Sequence, residues 1–240
     1  MASDLSIVLL SLRVAAVATA ITLPVGLGVA WLLVRRNPRG RAVIEVIISM
    51  PLALPPVVVG FGLLWIFSPT GPLGEAIGSV FGRDVVFTWI AASLAAAIVS
   101  FPLVVRTFMI ALESVDSRYE AAARSLGAGP IKTFTAITLP LAYRGMLAGI
   151  LLGFVRSLSE FGATIVVAGN IPGQTQTVPL AIFTRLQSGD DGLAMRLVVV
   201  SVVLAAISLL IHNSLLSRGG RGNLSGSGSA ERDRTEMAGG

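Results

Sequence analysis

The sequence predicts an all-α, polytopic membrane protein of about five transmembrane helices, with one polar loop that holds a short helix of its own. Three observations predict it. Of 240 residues, 54% are hydrophobic and only 13% charged, against roughly 25% charged in a soluble domain. The apolar residues gather in runs of 20 or more, long enough to cross the hydrocarbon core of a bilayer. The cations gather in the polar segments between those runs.

The same composition excludes several chemistries. There is no cysteine, so disulfides and thiolate metal sites are ruled out, and a single histidine, His212, argues against a His-ligated metal centre. Lys132 is the only lysine and follows Ile131, and no GxxxxGK[ST] occurs. The chain therefore carries no P-loop of its own. The net charge of +5 reads as membrane topology rather than as a nucleic-acid patch.

In chain order, residues 1–12 are mostly apolar but lack the basic start and cleavage site of a signal peptide. The first span is expected at 14–34, and ends in four arginines within Arg35–Arg41, a cytoplasmic anchor. The second, 43–67, contains Pro51, Pro55 and Pro56 and should be kinked or broken. Residues 68–85 read as a loop, and 86–110 as the third span. The fourth span is expected at 146–168 and the fifth at 197–216, with a polar turn at 170–178 and an undecided segment at 179–187. Residues 1–216 thus form the membrane domain. The Ser/Gly-rich tail, 217–240, has no apolar periodicity and is expected to be disordered.

Placing the arginine-rich loop inside puts 13 of the 18 Lys and Arg at or within the inner boundary and only Arg83, Arg185 and Arg196 outside. The N-terminus is then expected outside and the C-terminus in the cytoplasm.

The polar island at 117–140 lies between the third and fourth spans. Ser117 with Glu120 three residues later has the form of a capping box. Gly127 suits the left-handed position after a helix, and Gly129-Pro130 stops its continuation. A short capped helix on the cytoplasmic side follows.

Glu120-Ala121-Ala122, with Gly127 seven residues after Glu120 and Leu139-Pro140 closing the run, resembles the EAA loop of bacterial ABC-importer permeases with the MetI-like fold. The alternative is an ordinary amphipathic connector. The resemblance implies that Glu120, Ala121, Ala122, Arg124, Leu126, Gly127 and Ala128 form a coupling helix seated in an ATPase subunit. It extends further. Leu54-Pro55-Pro56-Val57-Val58-Val59-Gly60, Ser100-Phe101-Pro102-Leu103 and Arg156-Ser157-Leu158-Ser159-Glu160-Phe161-Gly162-Ala163-Thr164 resemble molybdate-importer permeases, and in part those for sulfate and tungstate. Ser159 stands where glycine is expected.

The resemblance implies a homodimer, two cytoplasmic ABC ATPase subunits that bind the ATP and magnesium, an external oxyanion-binding protein and an inner-membrane location. It implies no cofactor, metal or catalytic residue in this chain. A stand-alone channel or secondary transporter is the alternative from another class.

Arg156 and Glu160 fall within the fourth span, where ionisable groups are expensive. On a continuous helix, at about 100° per residue, they share a stripe with Gly145, Gly149 and Gly153. They read either as a self-neutralising pair that locks packing or as positive potential for an anion path. Packing is preferred, because Glu160 cancels much of the potential of Arg156. Ser100, Ser157 and Thr164 are intramembrane hydroxyls, expected to line a path or to serve packing.

Overall fold

A computed structural model describes residues 3–36, 38–81 and 84–220. Every regular element among them is helical: α1 (Asp4–Arg36), α2 (Arg41–Ala53), α3 (Pro56–Phe67), α4 (Gly74–Phe81), α5 (Trp89–Glu113), α6 (Ser117–Ser125), α7 (Pro130–Thr133), a π-helical turn (Phe134–Thr138), α8 (Leu139–Leu158), α9 (Gly162–Val167), α10 (Val178–Gln187) and α11 (Asp191–Gly220). Four helices are long and apolar enough to cross a membrane: α1, α5, the continuous run Pro130–Leu158 and α11. They become five when α2 and α3 count as one span bent by 105°.

Several boundaries differ from those expected, each for a physical reason. The first span begins at Asp4 rather than residue 14, because nothing in residues 4–13 breaks a helix and Asp4 suits its positive end. The second is broken outright. Leu54, which precedes a proline, is extended with φ −82° and ψ 145°, and Pro56 opens α3 as a first-turn residue. The loop 68–85 contains α4. Trp89 opens the third span because Thr88 caps it, accepting from Ala91 N at 3.3 Å.

The fourth span begins at Pro130, far before residue 146, since proline at a helix start costs no hydrogen bond. It then stops at Leu158, and α9 is a separate short helix. Residues 172–175 form the expected turn, and 171–174 are exposed, but the stretch that follows turns inward. Thr175, Gln176 and Thr177 are buried, and Val178 N donates to Ser11 Oγ at 2.7 Å. Residues 178–187 are helical, and α11 runs from Asp191 to Gly220, into the segment expected to be disordered. The remainder of that tail, 221–240, lies outside the described residues.

The core lies between α1, α5 and α8. One buried cluster joins Ala30 and Leu33 of α1 to Val104, Val105, Phe108 and Leu112 of α5 and to Ala142 and Met146 of α8. The glycines of α8 turn toward α5. A Cβ on Gly145 would lie 2.7 Å from Ala111 Cβ, and one on Gly149 would lie 3.0 Å from the Phe108 ring. Small residues let the backbones approach, which is the main source of helix association in lipid. Polar ties hold the broken span to α5: Arg41 reaches Glu113 at 3.1 Å, and Arg106 donates to Ser49 Oγ at 3.0 Å. Val199, Val202 and Leu210 of α11 are exposed, as an apolar face toward lipid should be.

Candidate functional site

The island at 117–140 forms two structures rather than one. Its first half is α6, capped by Asp116, whose Oδ1 accepts from Arg118 N at 2.9 Å. Asp116 displaces Ser117 from the capping role because it stands immediately before the first helical residue. At the other end Gly127 adopts φ +83°. Ala128 N donates to Ala123 O at 3.0 Å and Gly127 N to Arg124 O at 2.9 Å, the double bond pattern of a Schellman cap. Its second half, 130–140, is the start of the fourth span.

Glu120 is not part of the cap. It is 5% exposed and turned into the bundle. Its Oε1 lies 2.7 Å from Arg35 Nη2 at the end of α1 and accepts from Thr138 Oγ1 at 2.6 Å in the π-helical turn. Its Oε2 lies 3.5 Å from Arg124 Nη2. A buried carboxylate needs such partners, since removing it from water without them costs several kcal/mol. Arg35 Nη2 also donates to Leu112 O at 3.0 Å. Other side chains of the island stay open: Tyr119, Leu126 and Ile131 are exposed, Leu126 by 89%.

Arg35 and Thr138 escape a reading by motif. Arg35 counts there only as one cation among four, and Thr138 as a polar residue near Leu139-Pro140. No sequence signal pairs Arg35 with Glu120; only the fold, which brings the end of α1 within reach of Glu120, does.

The second cluster, at the end of α8 rather than in the middle of a span, forms where two interruptions meet. Residues 159–161 separate α8 from α9, and Leu54-Pro55 separates α2 from α3. The two half-helices pack backbone to backbone: a Cβ on Gly60 would lie 2.6 Å from Ala163 O, and one on Gly162 would lie 2.9 Å from Pro56 Cβ. Arg156 Nη1 lies 3.0 Å from Glu160 Oε2. Glu160 lies past the end of α8, so the two charges do not share one continuous helical stripe. The other Glu160 oxygen, Oε1, accepts from Ala163 N at 2.9 Å and so caps α9. Glu160 is 3% exposed, whereas the Arg156 side chain is 28% exposed.

Ser100 and Ser157 meet across α5 and α8, with Ser157 Oγ donating to Ser100 Oγ at 3.1 Å. Both are buried, as is Thr164 in α9. The structure therefore brings Arg156, Glu160, Ser157, Ser100 and Thr164 into one region around the break. It keeps them apart from Glu120, Ala121, Ala122, Arg124, Leu126, Gly127 and Ala128 on the rim.

A helical membrane bundle with a capped polar helix on its rim and two half-helices meeting inside it has the architecture of an importer permease. The chain belongs to the family described as "Binding-protein-dependent transport system inner membrane component", which it matches over residues 22–219. It is 49% identical over 209 residues to the molybdenum transport system permease protein ModB of Escherichia coli strain K12, covering 87% of this chain and 91% of that one. It is 41% identical over 198 residues to the sulfate transport system permease protein CysT of Salmonella typhimurium, covering 82% of this chain and 70% of that one. The fold matches an inward-facing structure of the MetNI methionine ABC transporter with a TM-score of 0.66 at 16% identity, covering 88% of this chain and 93% of that one.

Proposed function

We propose that this chain is the translocation subunit of an ATP-driven importer for molybdate. Residues 1–216 would serve as its membrane domain, paired as a homodimer, and an external oxyanion-binding protein would deliver the ion. Two cytoplasmic ABC ATPases would bind the ATP and magnesium. The N-terminus faces outside and the C-terminus the cytoplasm of a bacterial or archaeal cell, by the distribution of Lys and Arg. The observation that carries the ATP-driven reading is α6. It is a polar helix closed at both ends, pinned to the bundle through Glu120, with Tyr119 and Leu126 open to a partner.

Closure of the ATPases on ATP pushes the two α6 helices together and opens the bundle outward. Recognition of the anion resides in the binding protein, so the path needs hydroxyls and backbone amides rather than a strong cationic site. Greater identity and coverage with the Escherichia coli ModB than with the Salmonella typhimurium CysT support molybdate over sulfate. Tungstate is the second reading.

The test is uptake into proteoliposomes that hold the permease, its ATPase and the loaded binding protein. Labelled molybdate should accumulate only with ATP on the ATPase side, and sulfate should compete poorly. Uptake without ATP would mark a channel or secondary transporter, and preferred uptake of sulfate would overturn the substrate assignment.

A further inference from the structure

We infer that Arg35 is the positioning residue through which movement of α6 reaches the membrane bundle. This rests on the importer reading above. Of the four arginines in 35–41, Arg36 lies over the Trp31 ring and Arg41 reaches Glu45 and Glu113. Arg35 alone among these turns to Glu120, with a side chain 18% exposed. One guanidinium nitrogen, Nη2, bonds both the Glu120 carboxylate and Leu112 O. Leu112 is in the last turn of α5, whose final carbonyls have no intrahelical partner. Arg35 therefore joins the ends of α1 and α5 to the middle of α6.

The mechanical consequence follows from what else holds α6. The chain enters it through the short link 114–116, where only Val115 is buried, and leaves it through the exposed Gly127 and Gly129. A helix held only by such links could turn under the ATPase without dragging the spans. The buried pair resists this, because separating its two charges leaves the buried carboxylate only Thr138 and the largely exposed Arg124 as partners. Thr138 gives the same carboxylate a second tie, to the start of the fourth span. The α1–α5 pair is joined by the buried cluster around Ala30, Leu33, Phe108 and Leu112, so a push on α6 moves both spans together.

Arg35 bonds the buried Glu120, whereas Tyr119 and Leu126 are exposed, so docking and transmission should separate. The test uses the complete complex of permease, ATPase and binding protein in proteoliposomes. It measures permease abundance, co-purified ATPase, basal ATP hydrolysis and labelled molybdate imported per ATP. Arg35→Ala should retain the ATPase and its basal hydrolysis, while import per ATP falls roughly tenfold, inside the usual range of coupling between sites. Arg35→Lys should keep normal abundance with intermediate coupling, because an ammonium is a point charge rather than a planar fork. Tyr119→Ala should show the opposite pattern, losing co-purified ATPase.

Wild-type import per ATP in Arg35→Ala would overturn the inference. If Arg35→Ala fails to assemble, Arg35→Lys decides. Wild-type coupling in that variant would reduce Arg35 to a folding residue. A wild-type complex that imports nothing on ATP would overturn the importer reading itself, and this inference with it.

Discussion

Gly60 lies against the backbone of Ala163, so closely that a Cβ there would come within 2.6 Å of the Ala163 carbonyl oxygen. The two residues belong to the half-helices α3 and α9, which follow the two breaks in the membrane spans. Their contact fixes how the breaks sit together. The obstacle is backbone, which cannot swing aside as a side chain can.

Gly60→Val should therefore destabilise the bundle by about 1–3 kcal/mol, the usual cost of forcing extra methyl groups into a packed interior. Gly62, two residues on in the same helix, has nothing within 4 Å of its would-be Cβ, and Gly62→Ala should be neutral to slightly stabilising. Thermal unfolding in detergent compares the two. Equal midpoints would contradict the close contact.

Arg156 and Glu160 should be unequal partners. Arg156→Ala leaves a carboxylate that is 3% exposed with only the Ala163 N–H bonded to it. Breaking a fully buried pair costs on the order of 3–5 kcal/mol, and the partial exposure of Arg156 reduces that figure. Adding Glu160→Gln removes the charge and keeps an acceptor for Ala163 N, so Arg156→Ala/Glu160→Gln should recover much of the lost permease. Abundance in membranes is the measurement. An Arg156→Ala variant that accumulates normally yet does not transport would instead assign Arg156 to the anion path.

Gly127 tests the shape of the coupling helix apart from its anchoring. At φ +83° a Cβ-bearing residue is strained by roughly 1–2 kcal/mol, although the space around the position is empty. Asparagine tolerates this conformation better than valine. Gly127→Val should insert normally but transport poorly, with Gly127→Asn between it and wild type. Transport at the wild-type rate by Gly127→Val would make the cap irrelevant to coupling.

Topology is open to labelling because the chain has no cysteine. Thr70 and Gly173 are exposed and predicted outside; Arg39 is exposed and predicted inside. In intact cells an impermeant thiol reagent should modify Thr70→Cys and Gly173→Cys but not Arg39→Cys. Labelling of Arg39→Cys would reverse the proposed orientation.

The sequence by itself determined the features that depend on local chemistry. Long apolar runs require helices in a bilayer, because no water is present to satisfy an open backbone. Pro55 and Pro56 break the second span wherever it packs, since they lack the donors a helix needs. Gly127 ends α6 because a left-handed turn admits glycine at least cost.

Tertiary structure alone decided which distant residues meet. The break at 159–161 contains no proline and forms where α9 is drawn against α3 and capped by Glu160. The polar residues 175–177 are buried because Ser11 and the α10 start close over them, although their composition reads as a surface turn. Glu120 looks from its position in α6 like a cap residue, and it becomes a buried anchor because α1 delivers Arg35 beside it. For Glu160 and Glu120 the deciding energy is the pairing of a carboxylate withheld from water. Which partner lies within reach is a property of the packed bundle, not of the neighbouring residues in the chain.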